Sequence, residues 1–287
     1  MKWLKNPRWM LICAMTVFGT IGLFVRNISL PSAETALYRA VLASILLGGY
    51  FLVSGRKINI KKLGKDLLLL LFSGAAMAFN WILLFEAYKY TTVSVATLSY
   101  YFAPVIVTAV CPILFKEEMT RKKWICFIVS TIGIVLITGI GDLSGSNRHL
   151  TGIAFGLGAA VLYASVILLN KFTKGIAGIE RTFLQFLVAV AVLIPYVMAT
   201  GGIHLQQLDG SGWVNLLIVG FVHTGITYCM YFSALKELPG QEAAILSYID
   251  PLVAVVLSVF VLGETISLIQ LLGGAMILGF TLWNEME

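Results

Sequence analysis

The chain has 287 residues, of which 59 % are hydrophobic and only 12 % are charged, and its formal net charge is +6. Apolar runs of about twenty residues recur along its length, and each is long enough to cross a bilayer as a helix, which excludes an ordinary soluble domain. The basic residues lie in short loops between these runs, so the positive charge does not indicate nucleic-acid binding. The four cysteines lie inside apolar runs without metal-binding or disulfide spacing, and no cofactor is predicted.

The apolar runs predict an all-α integral membrane protein with ten transmembrane helices, because spanning segments must satisfy their backbone hydrogen bonds internally. The alternating pattern of a transmembrane barrel is absent. The first run follows a basic segment without a clear cleavage site, so it is predicted to be a retained helix rather than a signal peptide. The predicted spans, one to ten, are 9–27, 33–53, 66–88, 93–115, 121–140, 151–171, 179–200, 212–235, 242–262 and 266–284.

The distribution of Lys and Arg predicts a multi-pass protein of the cell (inner) membrane with both termini in the cytoplasm. In this orientation most of the 20 Lys and Arg residues fall in cytoplasmic segments. Only Arg26, Lys89 and Arg148 fall in outer segments, and Arg39 lies within span two.

A long stretch of the chain occurs twice. Residues 85–117 align with residues 232–264 without a gap at an offset of 147. Five spans in each half reverse the direction of the second half, so the predicted repeats, 1–143 and 148–287, are inverted in topology. Inverted repeats are typical of secondary transporters, in which two equivalent halves open a central site to either side. The identical positions are Phe85/Phe232, Ala87/Ala234, Lys89/Lys236, Ala96/Ala243, Tyr101/Tyr248, Pro104/Pro251 and Glu117/Glu264.

Each half contains a Tyr-x-x-Pro run with a Glu thirteen residues after the Pro. With the duplicated five-span halves, this pattern resembles the EamA-type members of the drug/metabolite transporter superfamily over essentially the whole chain. The resemblance implies a ten-helix fold with a central substrate cavity. It also implies a role in the export of amino acids or other small metabolites, which is common in that family.

Two charged residues are predicted to face the interior of the bundle. Asp250 lies inside span nine, where a buried carboxylate is costly unless it is protonated, paired or hydrated. Proton coupling or binding of a substrate amine would explain it, and so would an interhelical hydrogen bond. Arg39 either lines the cavity, snorkels outward or pairs with Glu34, Glu86 or Asp250. Its repeat counterpart, Gln185, is also polar in an apolar helix.

Pro104 and Pro251 occupy equivalent positions in spans four and nine. A proline within a helix removes a backbone hydrogen bond, so each marks either a packing kink or a hinge at a broken helix. His223, halfway along span eight, is either a hydrogen-bonded helix contact or a second proton-coupling site.

Aromatic and small polar residues recur in matched pairs between the halves. Buried Tyr and Trp need partners for their polar tips, so they fit either a mostly apolar cavity or interior helix packing. The residues predicted to line the cavity are Arg39, Asn80, Trp81, Tyr101, Tyr163, Gln185, Thr227, Tyr228, Tyr248 and Asp250.

Charges and glycines at other positions are interpreted as structural. Arg26 and Glu34 are predicted to be boundary charges, and Glu264 is predicted to fix a hairpin, as is Glu117. Gly152 and Gly156 have GxxxG spacing, which allows close helix packing. The glycines of span ten suggest the same, and either set is compatible with a dimer face.

These patterns favour a secondary exporter of small metabolites, amino acids or related compounds, that works by alternating access and is not an enzyme. Its predicted partners are a small-molecule substrate and the lipid bilayer, as a monomer or a homodimer. A lipid-linked sugar flippase and a small multidrug exporter of the same superfamily are the alternatives. A remote alternative is an intramembrane aspartyl protease, because residues 139–142 read GIGD. That interpretation leaves the duplication unexplained.

Overall fold

The chain folds into a bundle of α-helices in the computed structural model, which describes residues 6–55, 58, 64, 66–116, 118–137, 147–173, 176, 178–235, 237–238, 243 and 246–286. Each predicted span coincides with at least one helix. The α-helices are α1 Pro7–Gly19, α2 Ile21–Arg26, α3 Ser32–Ser54, α4 Asp66–Tyr90, α5 Val93–Tyr100, α6 Ala103–Phe115, α7 Arg121–Ile137, α8 Asn147–Phe172, α9 Gly178–Thr200, α10 Gly210–Leu217, α11 Thr227–Leu235, α12 Ile249–Phe260 and α13 Leu268–Glu285.

Seven helical segments of the described chain are long and apolar enough to cross a membrane, and two shorter apolar helices, Ile249–Phe260 and Leu268–Asn284, lie in spans nine and ten. Large apolar side chains cover the outside of the bundle, as at Val53, Phe260 and Leu268. Such a surface suits lipid rather than water. The all-α integral membrane fold is therefore confirmed.

Four of the spans are not uniform helices. Span one breaks at Thr20, and span four breaks at Tyr101 and Phe102. Span nine breaks at Tyr248, and α12 begins directly after this residue. The middle of span eight, Ile218–Ile226, is a π-helix between α10 and α11. A π-helical segment is uncommon and is often found at a functional site.

If each span is replaced by its counterpart in the other half, several contacts between spans recur. Span three packs on span six, and span one packs on span eight. Span three also packs on span seven, as span two does on span eight. Spans two and seven, four and nine, and five and ten contact each other directly. This pattern agrees with two related halves, although the inverted arrangement of 1–143 and 148–287 stays a prediction.

Glycines allow three close helix contacts. In α7 and α13, a Cβ atom at Gly273 would lie 2.5 Å from the carbonyl oxygen of Gly133, so only glycine fits there. Gly19 has a similar role in span one, since a Cβ there would lie 2.5 Å from the backbone oxygen of Asp250. The predicted close packing of Gly156 is also present, against Ser99 of α5. The contact at Gly19 brings span one directly over Asp250 of span nine.

Candidate functional site

A cavity of about 360 Å³ lies among spans one, two, three, four, six, eight and nine. Its lining residues include an acid, a base and many aromatic rings. Eight residues that sequence reasoning singled out contribute to its walls: Arg39, Trp81, Tyr101, Pro104, Tyr163, Tyr228, Tyr248 and Asp250.

The acid of the cavity is held at the start of a helix. Asp250 is the second residue of α12, so its carboxylate lies near the positive end of the helix dipole. The hydroxyl of Tyr101 donates a hydrogen bond of 2.7 Å to its Oδ2. Its other carboxylate oxygen has no hydrogen bond among the described residues. The geometry thus stabilises a carboxylate while leaving part of it available to a ligand.

The base of the cavity is almost completely buried. Arg39 is only 4 % exposed, and its Nε donates a hydrogen bond of 2.7 Å to the hydroxyl of Thr224 in the π-helix. Its guanidinium carbon lies 4.4 Å from the ring centroid of Trp81 and 5.6 Å from that of Phe85. Cation–π contact offsets part of the cost of a charge inside the membrane.

The expected ion pairs of Arg39 do not form. Glu34 is fully buried, but its carboxylate binds His204 instead. The backbone nitrogen of His204 lies 2.8 Å from Glu34 Oε1, and the Nδ1 of His204 lies 3.0 Å from Glu34 Oε2. Glu86 pairs with Lys89. Within the described part of the chain, neither Arg39 nor Asp250 has an ion-pair partner. One cavity therefore contains two opposite charges that do not neutralise each other.

Aromatic rings form most of the remaining wall. Tyr100 of α5 stacks on Tyr163 of span six with centroids 5.1 Å apart. The ring of Tyr228 packs edge-on against Phe18 at 5.1 Å and against Phe186 at 5.4 Å. These contacts fix the rings in place and leave apolar faces toward the cavity, which suits a ligand with an organic side chain.

The two prolines lie where helices begin. Pro104 is the second residue of α6, where a missing N–H leaves no helical hydrogen bond unmade. Pro251 is the third residue of α12 and is buried, but it does not line the cavity. The chain thus breaks at Tyr101 and Tyr248, which are repeat counterparts, and turns both side chains into the cavity.

Three predicted polar residues lie outside the cavity, and two of them bind neighbouring helices. The amide of Asn80 donates to the backbone oxygen of Ala159 at 2.6 Å. The amide nitrogen of Gln185 lies 2.8 Å from Ser73 Oγ and 2.8 Å from Asn170 Oδ1. Thr227 donates to the backbone of its own helix. In hydrocarbon such internal partners are the only ones available.

His223 also lies outside the cavity wall. It is 1 % exposed, and its Nε2 lies 2.8 Å from the hydroxyl of Thr20 at the break in span one. Its ring packs against Phe24 with centroids 4.9 Å apart. This side chain therefore connects the break in span one to the π-helix that also holds Thr224.

Several wall residues were missed by sequence reasoning, among them Phe18, Tyr100 and Tyr231. Tyr231 lies three residues after Tyr228 in α11 but was not predicted to line the cavity. Tyr100 directly precedes Tyr101, and only the break after α5 allows both rings to reach the cavity. Tyr100 lies three residues after Thr97, which also lines the cavity, so the two residues share one face of the helix. This spacing is the sequence signal for Tyr100.

A polar network joins the ends of spans one, four and nine. Glu264 forms an ion pair with Arg26, accepts a hydrogen bond from Ser258, and accepts one of 2.8 Å from the backbone nitrogen of Val93. Arg26 also donates to the backbone oxygens of Tyr88 and Thr91. The hairpin role predicted for Glu264 is thus part of a wider connection, whereas Glu117 lies outside the described residues.

A bundle of membrane helices around an internal cavity with buried charge is typical of a multi-pass membrane transporter. The model of the EamA-like transporter family matches residues 8–139 and 150–284. The chain belongs to the EamA-like transporter family.

Relatives of similar length support this assignment. The uncharacterized transporter YxxF of Bacillus subtilis is 32 % identical over 268 residues, covering 93 % of this chain and 85 % of that protein. An uncharacterized transporter of Archaeoglobus fulgidus is 28 % identical, covering 99 % of this chain and all of that protein. A solved crystal structure superposes with a TM-score of 0.66 at 16 % identity, covering 96 % of this chain and 94 % of that chain, which shows the fold alone.

These matches point to a transporter rather than to an enzyme. The GIGD sequence at 139–142, on which the protease alternative rested, lies outside the described residues.

Proposed function

We propose that this transporter exports small zwitterionic metabolites, amino acids or close relatives, by alternating access around the central cavity. Arg39 binds the carboxylate of the substrate, and Asp250, oriented by Tyr101, binds its amine. The aromatic wall holds the side chain. The observation that carries this proposal is that Arg39 and Asp250 line one cavity without pairing with each other.

The charges favour a zwitterion on energetic grounds. An uncompensated charge inside the membrane is costly, so each of the two buried groups is stabilised when a ligand supplies the opposite charge. A substrate that carries both charges satisfies both groups at once and adds no net charge to the cavity. Planar guanidinium groups suit carboxylates, since two parallel hydrogen bonds can form.

Alternating access is supported by the two predicted halves and by the broken helices. The two matched stretches of the family agree with repeats 1–143 and 148–287. In the predicted topology, with both termini in the cytoplasm, the Arg26–Glu264 network lies at the outer side and holds that side closed. The breaks before Pro104 and Pro251 act as hinges when the halves exchange roles.

We assign proton coupling to Asp250 rather than to His223, because the acid lines the cavity and the imidazole does not. A proton and a substrate amine then compete for the same carboxylate. Binding of one releases the other, which couples their movements in opposite directions.

A small multidrug exporter is the second candidate. The many aromatic faces around Asp250 favour an organic cation, which would gain cation–π contacts. Arg39 opposes a substrate with only positive charge. Competition by hydrophobic amines without a carboxylate separates the two candidates.

Purified protein in liposomes tests the proposal directly. We expect amino-acid flux that increases with an opposing proton gradient, and Asp250→Asn should reduce kcat/KM by about tenfold or more, because a hydrogen-bonded charge contributes roughly 1.5–3 kcal/mol. Glu86→Gln is the matched control, since Glu86 does not line the cavity. Unchanged flux in Asp250→Asn contradicts the proposal, and lipid scrambling without solute flux favours a flippase.

A further inference from the structure

A second pocket, of about 560 Å³, collects cations from three separate elements. Arg26 ends span one, Lys89 lies in the last turn of α4, and Arg148 lies in the first turn of α8. They are the same three basic residues that the charge distribution predicts on the outer side. Positive charges are disfavoured in outer segments, so their convergence on one pocket needs a specific reason.

The carboxylates near these cations lie outside the pocket wall. Glu86 pairs with Lys89 at 3.2 Å, and Glu264 pairs with Arg26. The pocket wall itself contains three cations, two aromatic rings and two aliphatic side chains. Among the described residues, the pocket wall therefore contains basic groups and no carboxylate, although Arg26 and Lys89 have acidic partners outside the wall.

One backbone contact and one ring contact hold Arg148 in position. Arg148 donates from Nη2 to the backbone oxygen of Lys89 at 2.9 Å, and its guanidinium lies 5.8 Å from the ring centroid of Tyr90. Arg148 also opposes the dipole of its own helix, whose first turn favours acidic residues. Its position thus adds to the positive field of the pocket rather than to helix stability.

An aromatic side chain borders both this pocket and the central cavity. Tyr88 lines both of them. Phe85 lines the outer pocket, and its ring lies 5.6 Å from the guanidinium of Arg39. Cationic groups therefore line both pockets, and Tyr88 is common to the two walls.

We propose that the outer pocket is a binding site for a small oxyanion, held by Lys89 and Arg148 beside Arg26. This site is separate from the central one and does not depend on which substrate is transported. A soluble carboxylate and the phosphate of an anionic lipid share this chemistry. An oxyanion there competes with Glu264 for Arg26 and so weakens the network that joins the ends of spans one, four and nine.

The test uses full-length Arg39→Gln protein in nanodiscs of phosphatidylcholine, so that the central base does not contribute. Unfolding midpoints are measured against sodium acetate and sodium chloride at equal ionic strength. We expect acetate to raise the midpoint in a saturable way and chloride not to do so. The double variant Lys89→Gln/Arg148→Gln should raise the acetate concentration at half-saturation by about tenfold or more, since two charge-assisted hydrogen bonds to the anion are lost.

Lys122→Gln is the control, because this residue lies at the opposite end of the bundle in the predicted topology. A second arm replaces part of the lipid with phosphatidylglycerol. If phosphatidylglycerol abolishes the acetate effect that the Arg39→Gln protein shows in phosphatidylcholine, the oxyanion site stands and lipid occupies it; if the effect persists, the site stands and prefers a soluble carboxylate. An acetate effect no larger than that of chloride, or one that the double variant retains in full, overturns the proposal.

Discussion

Thr224 determines how the buried base is presented. Its hydroxyl accepts the only hydrogen bond that Arg39 makes among the described residues, and it donates to Val219 within the π-helix. The terminal nitrogens of the guanidinium are therefore left for a ligand. The residue acts through Arg39 and is a positioning residue in the proposed mechanism.

Thr224→Val should raise KM for a zwitterionic substrate by about tenfold, because a hydrogen bond to a charged group contributes roughly 1.5–3 kcal/mol. Thr227→Val is the matched control, since Thr227 lies in the next turn and bonds only to Val222. Flux assays in liposomes should include the corresponding amine without its carboxylate. If KM for that amine rises equally, Thr224 has a general structural role instead.

At the scale of single residues, sequence reasoning identified the charged and paired aromatic groups of the cavity but not all of its wall. Trp81 and Tyr228 were recognisable because they recur at one position of the repeat. Asn80 was also predicted to line the cavity, yet its side chain turns to the backbone of span six. Periodicity assigns a face to a residue, but the nearest available backbone acceptor determines where its amide points.

Among the helices, the network around Glu264 connects three spans at one end of the bundle. Ser94, at the start of α5, is 1 % exposed and lies behind this network, with its backbone nitrogen 3.3 Å from the hydroxyl of Ser258. Access to this residue from outside therefore reports whether the network is intact.

Glu264→Gln should increase labelling of Ser94→Cys by a membrane-impermeant thiol reagent by about tenfold, because it removes an ion pair and weakens two hydrogen bonds. Intact cells or sealed right-side-out vesicles provide the measurement. Glu86→Gln, which breaks only the exposed pair with Lys89, is expected to leave labelling unchanged. Equal labelling in the Glu264→Gln and parent proteins would show that the network does not close this side.

The crossing of α7 and α13 depends on two glycines that face each other. Gly273→Ala should lower stability by about 1–3 kcal/mol, because the new Cβ would meet the backbone oxygen of Gly133, which cannot move independently of its helix. Gly279→Ala, on the same helix, meets nothing within 4 Å and serves as the control. Thermal unfolding in detergent distinguishes them, and equal midpoints would contradict this packing.

The spans themselves were predictable, whereas their internal breaks were only partly so. Proline marked the break before α6, since this residue is favoured in the first turn of a helix. The π-helix has no comparable signal in the sequence. Within it, Gly220 and Gly225 pack closely against Leu42 and Leu46 of span two, and these contacts exist only in the folded bundle.

At the scale of the whole molecule, the helix contacts agree with the two predicted halves, but the cavity is asymmetric. Equivalent helices make equivalent contacts, and this follows from the duplication visible in the sequence. The charges do not follow it: Asp250 has Ala103 as its counterpart, and Arg39 has Gln185. The repeat therefore explains the architecture, while departures from it carry the proposed chemistry.

The central claim is that one buried base and one buried acid bind the two ends of a zwitterion. The most direct test compares transport of an amino acid with two analogues, one without its carboxylate and one without its amine, in the parent, Arg39→Gln and Asp250→Asn proteins. Arg39→Gln should abolish the preference over the first analogue only, and Asp250→Asn should abolish the preference over the second only. If both substitutions reduce transport of all three compounds equally, the two charges do not recognise the substrate in this way.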